Sequence, residues 1–240
     1  MGVRIIKSPS PLSPLPKGHQ LLLRTHVNEA VKGGGRIKSI ILLSSGLDSI
    51  VSCCIACAKT RPYCAITFDY CQRAGLMEIS QARKVCRHYK IRHLVVRLPF
   101  FRNFTRSVMI GPPRRAGAGR FRRRQDVWVP NRNAVFVNVA AAYAEYYRAD
   151  LIVTGFNREE AAEFPDNALA FVAAVNASLA RSTIRRPRVV SYVQNLTKRE
   201  IYRLGLRSGA PLQYVYSCYL GGSKMCGRCA SCRRLRAAQA

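Results

Sequence analysis

Two short stretches hold residue types that could carry out chemistry. Ser44-Ser45-Gly46-Leu47-Asp48-Ser49 follows the apolar run Ile40-Ile41-Leu42-Leu43 and precedes a stretch of helical character. A loop of small residues placed between a strand and a helix turns its backbone amides, and the helix N-terminus behind them, toward one point where an anion can sit. The hydroxyls of Ser44, Ser45 and Ser49 add donors, and Asp48 in the first helical turn could hold magnesium against phosphate oxygens. Serine and aspartate are also ordinary cap residues, so the hexapeptide alone is compatible with a simple helix start.

The second stretch closes the chain. Cys218, Cys226, Cys229 and Cys232 are separated by seven, two and two residues. Four thiolates complete a tetrahedral zinc shell, and Gly227 permits the tight turn that a metal knuckle needs. A filled shell leaves no open position, so such a zinc is structural and staples the C-terminal tail. A redox Cys-x-x-Cys pair or an iron–sulfur cluster would use the same residue type. The other six of the ten cysteines, Cys53, Cys54, Cys57, Cys64, Cys71 and Cys86, lie on apolar or mixed segments, where a thiol behaves as a small buried hydrophobe.

The elements that must position these groups read as alternating strands and helices. Strands are expected at Ile40–Leu43, Tyr63–Phe68 (ending at Asp69), His93–Leu98, Leu151–Thr154 and Arg188–Ser191. Helices are expected at Ile50–Lys59, Ala74–Tyr89, Asn133–Arg148 and Asp166–Ala180, and a capping box, Thr197-Lys198-Arg199-Glu200, opens one that stops near Gly209. That order predicts an α/β fold, a doubly wound, mainly parallel sheet with a small C-terminal zinc-binding subdomain. Residues 107 to 126, rich in Gly, Pro and Arg, are too broken for an element and read as a mobile lid-like loop. The expected organisation is a flexible extension over 1–36, an α/β domain carrying the anion-binding type of loop over 37–190, and a helical, zinc-binding region over 191–240.

With 40 Lys+Arg against 12 Asp+Glu, the net charge of +28 implies anionic company: nucleotides, nucleic acid or acidic membranes. Arginine and alanine enrichment from a biased genome would give the same number. Acidic residues resist that bias in one stretch, where Glu145, Asp150, Glu159, Glu160, Glu163 and Asp166 fall together. The sequence has no run of the ~20 apolar residues that a membrane span needs. Pro9, Pro11, Pro14 and Pro16 interrupt the N-terminus where a secretory signal would lie, so a reducing, cytoplasmic setting is expected.

Residues 44–49 resemble the SGGxDS pyrophosphate loop of the N-type ATP pyrophosphatases (the PP-loop superfamily), with Ser45 in the place of a glycine. Further blocks follow in order: Phe68-Asp69-Tyr70-Cys71-Gln72-Arg73, where the family reads FDYGQR; Val129-Pro130-Asn131-Arg132-Asn133; Thr154-Gly155-Phe156-Asn157; Phe164-Pro165-Asp166; and Ser217-Cys218-Tyr219 running to Cys232. Together they resemble the 7-cyano-7-deazaguanine synthases over about residues 38 to 237. Cys71 and Ala74 replace a glycine and a frequent histidine.

The resemblance implies a cytoplasmic ligase of queuosine and archaeosine precursor synthesis. It would convert 7-carboxy-7-deazaguanine, ammonia and ATP to the nitrile through an acyl-adenylate and an amide. It also implies a nucleotide site at Ser44, Ser45, Gly46, Leu47, Asp48 and Ser49, with Asp69 reaching ribose or magnesium. Asp48, Ser49 and Arg132 would be catalytic. Gln72, Arg73, Asn133, Asn157 and Asp166 would bind substrate, although Asp166 would equally suit a helix N-cap and Asp69 a strand end. The implied cofactors are ATP with Mg2+ and a structural Zn2+ on the four cysteines. A homodimer and direct nucleic-acid contact are compatible with this reading and required by neither. A tRNA thiolase of the same superfamily, which the basic run Arg114–Arg124 would suit, and a non-catalytic zinc-stapled descendant remain the competing assignments.

Overall fold

Alternating apolar runs and amphipathic stretches produce a five-stranded, wholly parallel sheet in the order β3-β2-β1-β4-β5. The computed structural model describes residues 36–112 and 124–240. The strands are β1 (Lys38–Leu42), β2 (Arg61–Asp69), β3 (Arg92–Arg97), β4 (Leu151–Thr154) and β5 (Arg188–Ser191). The helices are α1 (Leu47–Lys59), α2 (Gly75–His88), α3 (Phe101–Phe104), α4 (Arg124–Val127), α5 (Arg132–Tyr147), α6 (Arg158–Glu163), α7 (Leu169–Ser182), α8 (Lys198–Ser208) and α9 (Ala230–Gln239).

Both sheet faces are covered, as a parallel sheet requires. Ile40, Ile66, Leu94 and Ile152 pack on Val137, Ala140, Ala141 and Ala144 of α5 and on Val175 and Leu179 of α7. The small alanines let α5 lie close to the strands. On the other face Ile41, Leu43, Ala65 and Val153 meet Ile50, Cys53 and Ala56 of α1 and Ala82, Val85 and Cys86 of α2. A further layer lies outside α1, where Leu47, Val51 and Ile55 pack on Ile201 of α8 and on Leu235 and Ala238 of α9.

The chain winds outward from β1 through β2 to β3, then returns to β4 on the other side of β1. The crevice at the carboxyl ends of β1 and β4 is therefore a topological switch point, where open α/β sheets bind their ligands.

All five expected strands form. The helix expected from Ile50 begins at Leu47, so Asp48 and Ser49 lie inside its first turn. The helix expected from Asp166 begins at Leu169, with the extended Ala168 as its cap and a 3-10 turn over Pro165–Asn167 before it. Asp166 is therefore not that helix's N-cap. The capping box is present as read: the Thr197 side chain accepts from the Glu200 N–H, and Gly209 ends the helix at φ 68°. The expected extension lies outside the described residues apart from Arg36. Of the expected 107–126 loop, residues 113–123 also lie outside them, and α4 supplies a helical turn where no element was expected. Among the described residues no helix is long and apolar enough to cross a membrane.

Candidate active site

β1 delivers Ser44 and Ser45 into the crevice, and α1 carries Asp48 and Ser49 back out of it. Ser49 Oγ donates to the Gly46 carbonyl (3.0 Å) and accepts from the Ser44 N–H (3.3 Å), which folds the loop on itself. Gly46 is extended (φ −65°), and the left-handed residue is Ser45 at φ 64°. A side chain there costs roughly 1 kcal/mol. Ser45 is buried, and the segment after α8 holds it: the Tyr216 N–H donates to Ser45 O (2.9 Å), and Ser45 Oγ donates to Tyr216 O (3.4 Å). Across the crevice, a Cβ on Gly155 would stand 2.8 Å from Ser49 N. Only glycine lets the exit of β4 lie against the start of α1.

The loop opens into a cleft of about 240 Å³ walled by Ser44, Gly46, Asp48, Arg132, Asn133 and Asp166, with Trp128 and Phe164 among the aromatic residues that face it. Arg132 opens α5 and lies over the rings of Tyr70 (5.7 Å) and Phe136 (6.0 Å). Its Nη1 donates to the Tyr70 hydroxyl (3.3 Å), and its Nε has no partner among the described residues. Asn133 Nδ2 donates to the Asp166 carbonyl (3.3 Å). Burial raises the Asp166 carboxyl above its usual range, while Arg132 pulls it back.

At the other wall Lys198, the first residue of α8, bonds Asp48 Oδ2 and, at 2.7 Å, Glu160 Oε1. Burial pushes the Asp48 carboxyl up against the pull of Lys198, while Lys198 lowers that of Glu160. Asp48 Oδ1 is buried with no hydrogen-bond partner among the described residues. That free acceptor lone pair, beside the phosphate-type loop, is what a divalent cation would take.

The four cysteines converge. The Sγ atoms of Cys218, Cys226, Cys229 and Cys232 lie within 4.8 Å of one another, and Cys226 and Cys232 are 3.9 Å apart. A tetrahedral ZnS4 centre with ~2.3 Å bonds has sulfurs ~3.8 Å apart, so the geometry fits a metal of this kind. The N–H groups of Arg228 and Cys229 donate to Cys226 Sγ (3.4 and 3.3 Å), contacts that favour thiolate. Gly227 turns the chain at φ 70°.

The model of the family described as Queuosine biosynthesis protein QueC matches residues 38–240. The chain belongs to that family. It is 47% identical over 214 residues to the 7-cyano-7-deazaguanine synthase of Pelotomaculum thermopropionicum, covering 85% of this chain and 97% of the relative. It is 45% identical over 210 residues to that of Carboxydothermus hydrogenoformans (84% and 98%) and 39% identical over 215 to that of Methanosarcina mazei (84% and 93%). Among solved structures, a 4-thiouridine synthetase–RNA complex with bound ATP shares the fold at a TM-score of 0.52 and 17% identity, over 84% of this chain and 49% of that one.

Within this QueC-family fold the expected residues divide into two groups. Ser44, Gly46, Asp48, Ser49, Arg132, Asn133 and Asp166 line one cleft. Ser45 and Leu47 are buried behind it and hold the loop in place. Asp69 is turned away from the cleft: its Oδ1 accepts from the Cys71 N–H (3.2 Å), and its Oδ2 faces Arg97 (3.8 Å). Gln72 directs its whole amide inward, with Oε1 on the Tyr70 N–H (2.8 Å) and Nε2 on Phe68 O and Glu78 Oε2 (both 2.9 Å). Arg73 donates to the carbonyls of Val108 (2.5 Å) and Pro112, tethering the segment before the arginine-rich loop. Asn157 caps α6 through the Glu160 N–H (3.0 Å), and its buried Nδ2 is left without a partner among the described residues.

Lys198, Glu160, Glu78 and Tyr219 line the cleft and were not singled out as site residues. Two signals were present. Glu160 belongs to the acidic stretch that resists the charge bias, and Lys198 is the first helical residue after the Thr197 cap, where a lysine opposes the helix dipole and needs another reason to be there.

Proposed function

We propose that this chain is an ATP-dependent carbon–nitrogen ligase, a 7-cyano-7-deazaguanine synthase that converts 7-carboxy-7-deazaguanine and ammonia to the nitrile. The observation that carries the reading is one cleft at the sheet's switch point, shared by the Ser44–Ser49 loop and by Arg132, Asn133 and Asp166. Family membership and the synthases 45–47% identical to it support the same chemistry.

In this proposal the loop amides and the N-terminus of α1 grip the β- and γ-phosphates of ATP. A carboxylate is a poor electrophile. Bringing the deazapurine carboxylate to the α-phosphate exchanges pyrophosphate for an acyl-adenylate, whose AMP is a good leaving group for ammonia. A second adenylation, on the amide oxygen, lets AMP carry that oxygen away and leaves the nitrile. Arg132, held flat over Tyr70 and Phe136, neutralises substrate carboxylate or phosphate with its guanidinium fork. Asp166 and Asn133 face the amino and ring N–H donors of the guanine-like base.

Asp48 Oδ1 suits magnesium, which when bound screens phosphate charge. The four cysteines suit a structural zinc. ATP, ammonia and the deazapurine acid are the partners this reading needs, and a cytoplasmic location is consistent with them.

The test is incubation of metal-loaded protein with ATP, ammonium and 7-carboxy-7-deazaguanine, followed by mass spectrometry. The nitrile is expected, with pyrophosphate release that depends on the acid. Release that ignores the acid, or thiolated tRNA on supplying tRNA and sulfide instead, would overturn the assignment.

A further inference from the structure

Glu78 lies in the first turn of α2, on the wall of the same cleft as the phosphate-type loop and Arg132. Its Oε2 is fixed by Gln72 Nε2 (2.9 Å), and Gln72 is itself fixed by Phe68 O and the Tyr70 N–H. The only hydrogen bond that the Glu78 carboxylate makes among the described residues is this one, and the residue lines the cleft. A carboxylate held through one oxygen on the wall of a cleft proposed to take phosphate is an unusual choice for binding an anionic substrate. It repels the phosphates and the acid alike and attracts cations: the Arg132 charge already favours its ionised form, and ammonium is the cationic substrate of the proposed reaction.

Resting on the function proposed above, we infer that Glu78 is the ammonium site of this enzyme and the base that frees ammonia for attack. Ammonium binds at Oε1 and transfers one proton to it. The released lone pair forms the C–N bond at the acyl carbon, and the bond from that carbon to the AMP oxygen breaks with its electrons on AMP. The second proton passes from the new nitrogen to the departing phosphate, and Glu78 returns its proton to water between turnovers. Atoms and charge balance with no further reactant.

The electrostatics are those of a base that works near neutrality. Burial pushes the Glu78 carboxyl from an ordinary 4.5 up to about 7. The Gln72 hydrogen bond and Arg132 pull it down, and Asp69 adds to the rise. The Tyr70 and Tyr216 hydroxyls are the other titratable groups facing it. The sign for stability follows. Glu78 binds its proton more tightly folded than unfolded, so its contribution is complete below about 4.5 and is lost as the pH rises through about 7.

Glu78→Gln is the test, read in two half-reactions. Pyrophosphate exchange with ATP and 7-carboxy-7-deazaguanine is expected to persist. Amide formation from ammonium chloride at pH 7.5 should fall by about 100-fold, the low end for loss of a general base. Hydroxylamine, already unprotonated at that pH, should still give hydroxamate at close to the wild-type rate. Melting of Glu78→Gln should match the wild type in acid and exceed it above pH 7, which excludes a folding defect. Unchanged ammonia-dependent turnover, or equal loss with both nucleophiles, would overturn the inference. A raised KM for the deazapurine acid would assign Glu78 to base recognition instead. Absence of exchange in the wild type would fault the proposed function and not the role of Glu78.

Discussion

Lys198→Met removes one ammonium group from between two carboxylates, and the structure sets the size of the effect. The Lys198 side chain is 13% exposed, that of Asp48 11% and that of Glu160 31%. Methionine keeps the packing length, so the loss is electrostatic. Stranding a carboxylate after its buried cation is removed costs about 3–5 kcal/mol, and the partial exposure of Glu160 argues for the lower figure. For a chain of this size about 3 kcal/mol lowers Tm by roughly 6–12 °C. The assay is thermal melting at pH 7.5 and at pH 5. In the variant both carboxylates hold protons more tightly folded than unfolded, so its deficit should shrink as the pH falls. Adding Asp48→Asn to Lys198→Met should recover part of the loss at pH 7.5. If Lys198→Met melts with the wild type at pH 7.5, the two carboxylates are not held against solvent by that lysine, and the description of this wall of the cleft is wrong.

Asp48→Asn alone keeps the Lys198–Glu160 pair and should fold with a Tm close to the wild type, yet give no pyrophosphate release dependent on the deazapurine acid; retained release would remove Asp48 from the nucleotide site. Cys229→Ser opens the four-sulfur cluster, so purified protein should contain less metal by elemental analysis and melt lower, and equal metal content and Tm would show the cluster to be something other than a metal staple. His93, whose Nε2 meets Thr67 Oγ1 at 2.8 Å, is pushed by burial from 6.5 down to about 4. Its contribution is present above pH 6.5 and is lost as the pH falls toward 4, so His93→Gln should flatten the acid limb of a Tm-against-pH curve, and an unaltered limb would place that loss elsewhere.

The strands were legible because continuous apolar runs bounded by Gly, Asp and Arg leave little choice, and the Thr197 capping box was legible because it is local. The loop and the cysteine cluster were legible for the same reason: their ligating groups are close in sequence. Asp69, Gln72 and Arg73 read as a block facing ligand, and the structure buries Gln72 and Arg73 and turns Asp69 toward the exposed Arg97. Cys71, at φ 66° between them, bends the chain there, and Gln72 spends its amide on Phe68, Tyr70 and Glu78. Their contribution to the cleft is indirect. Lys198 could not be placed from sequence because its partners, Asp48 and Glu160, come from separate crossovers, and only the strand order β2-β1-β4 brings them to one wall.

The same topology explains why a four-cysteine cluster at the chain's end bears on the Ser44–Ser49 loop near its start. Ser45 in its left-handed conformation is a local cost, and no residue of its own loop offsets it. The segment from Tyr216 to Gly221 does, through the paired hydrogen bonds between Tyr216 and Ser45. At its other end that segment is pressed onto the β2 exit: a Cβ on Gly221 would fall 1.9 Å from Arg73 O, so no side chain is tolerated there. Cys218 lies between these two anchors and is tied by the cluster to Cys226, Cys229 and Cys232, the last on α9, which packs with α8 on α1. A metal at the four sulfurs thus fixes the strap that holds Ser45, and a loop fixed before nucleotide arrives does not spend binding free energy on ordering itself. On the proposed function, metal removal would therefore lower both stability and nucleotide affinity through the same contact.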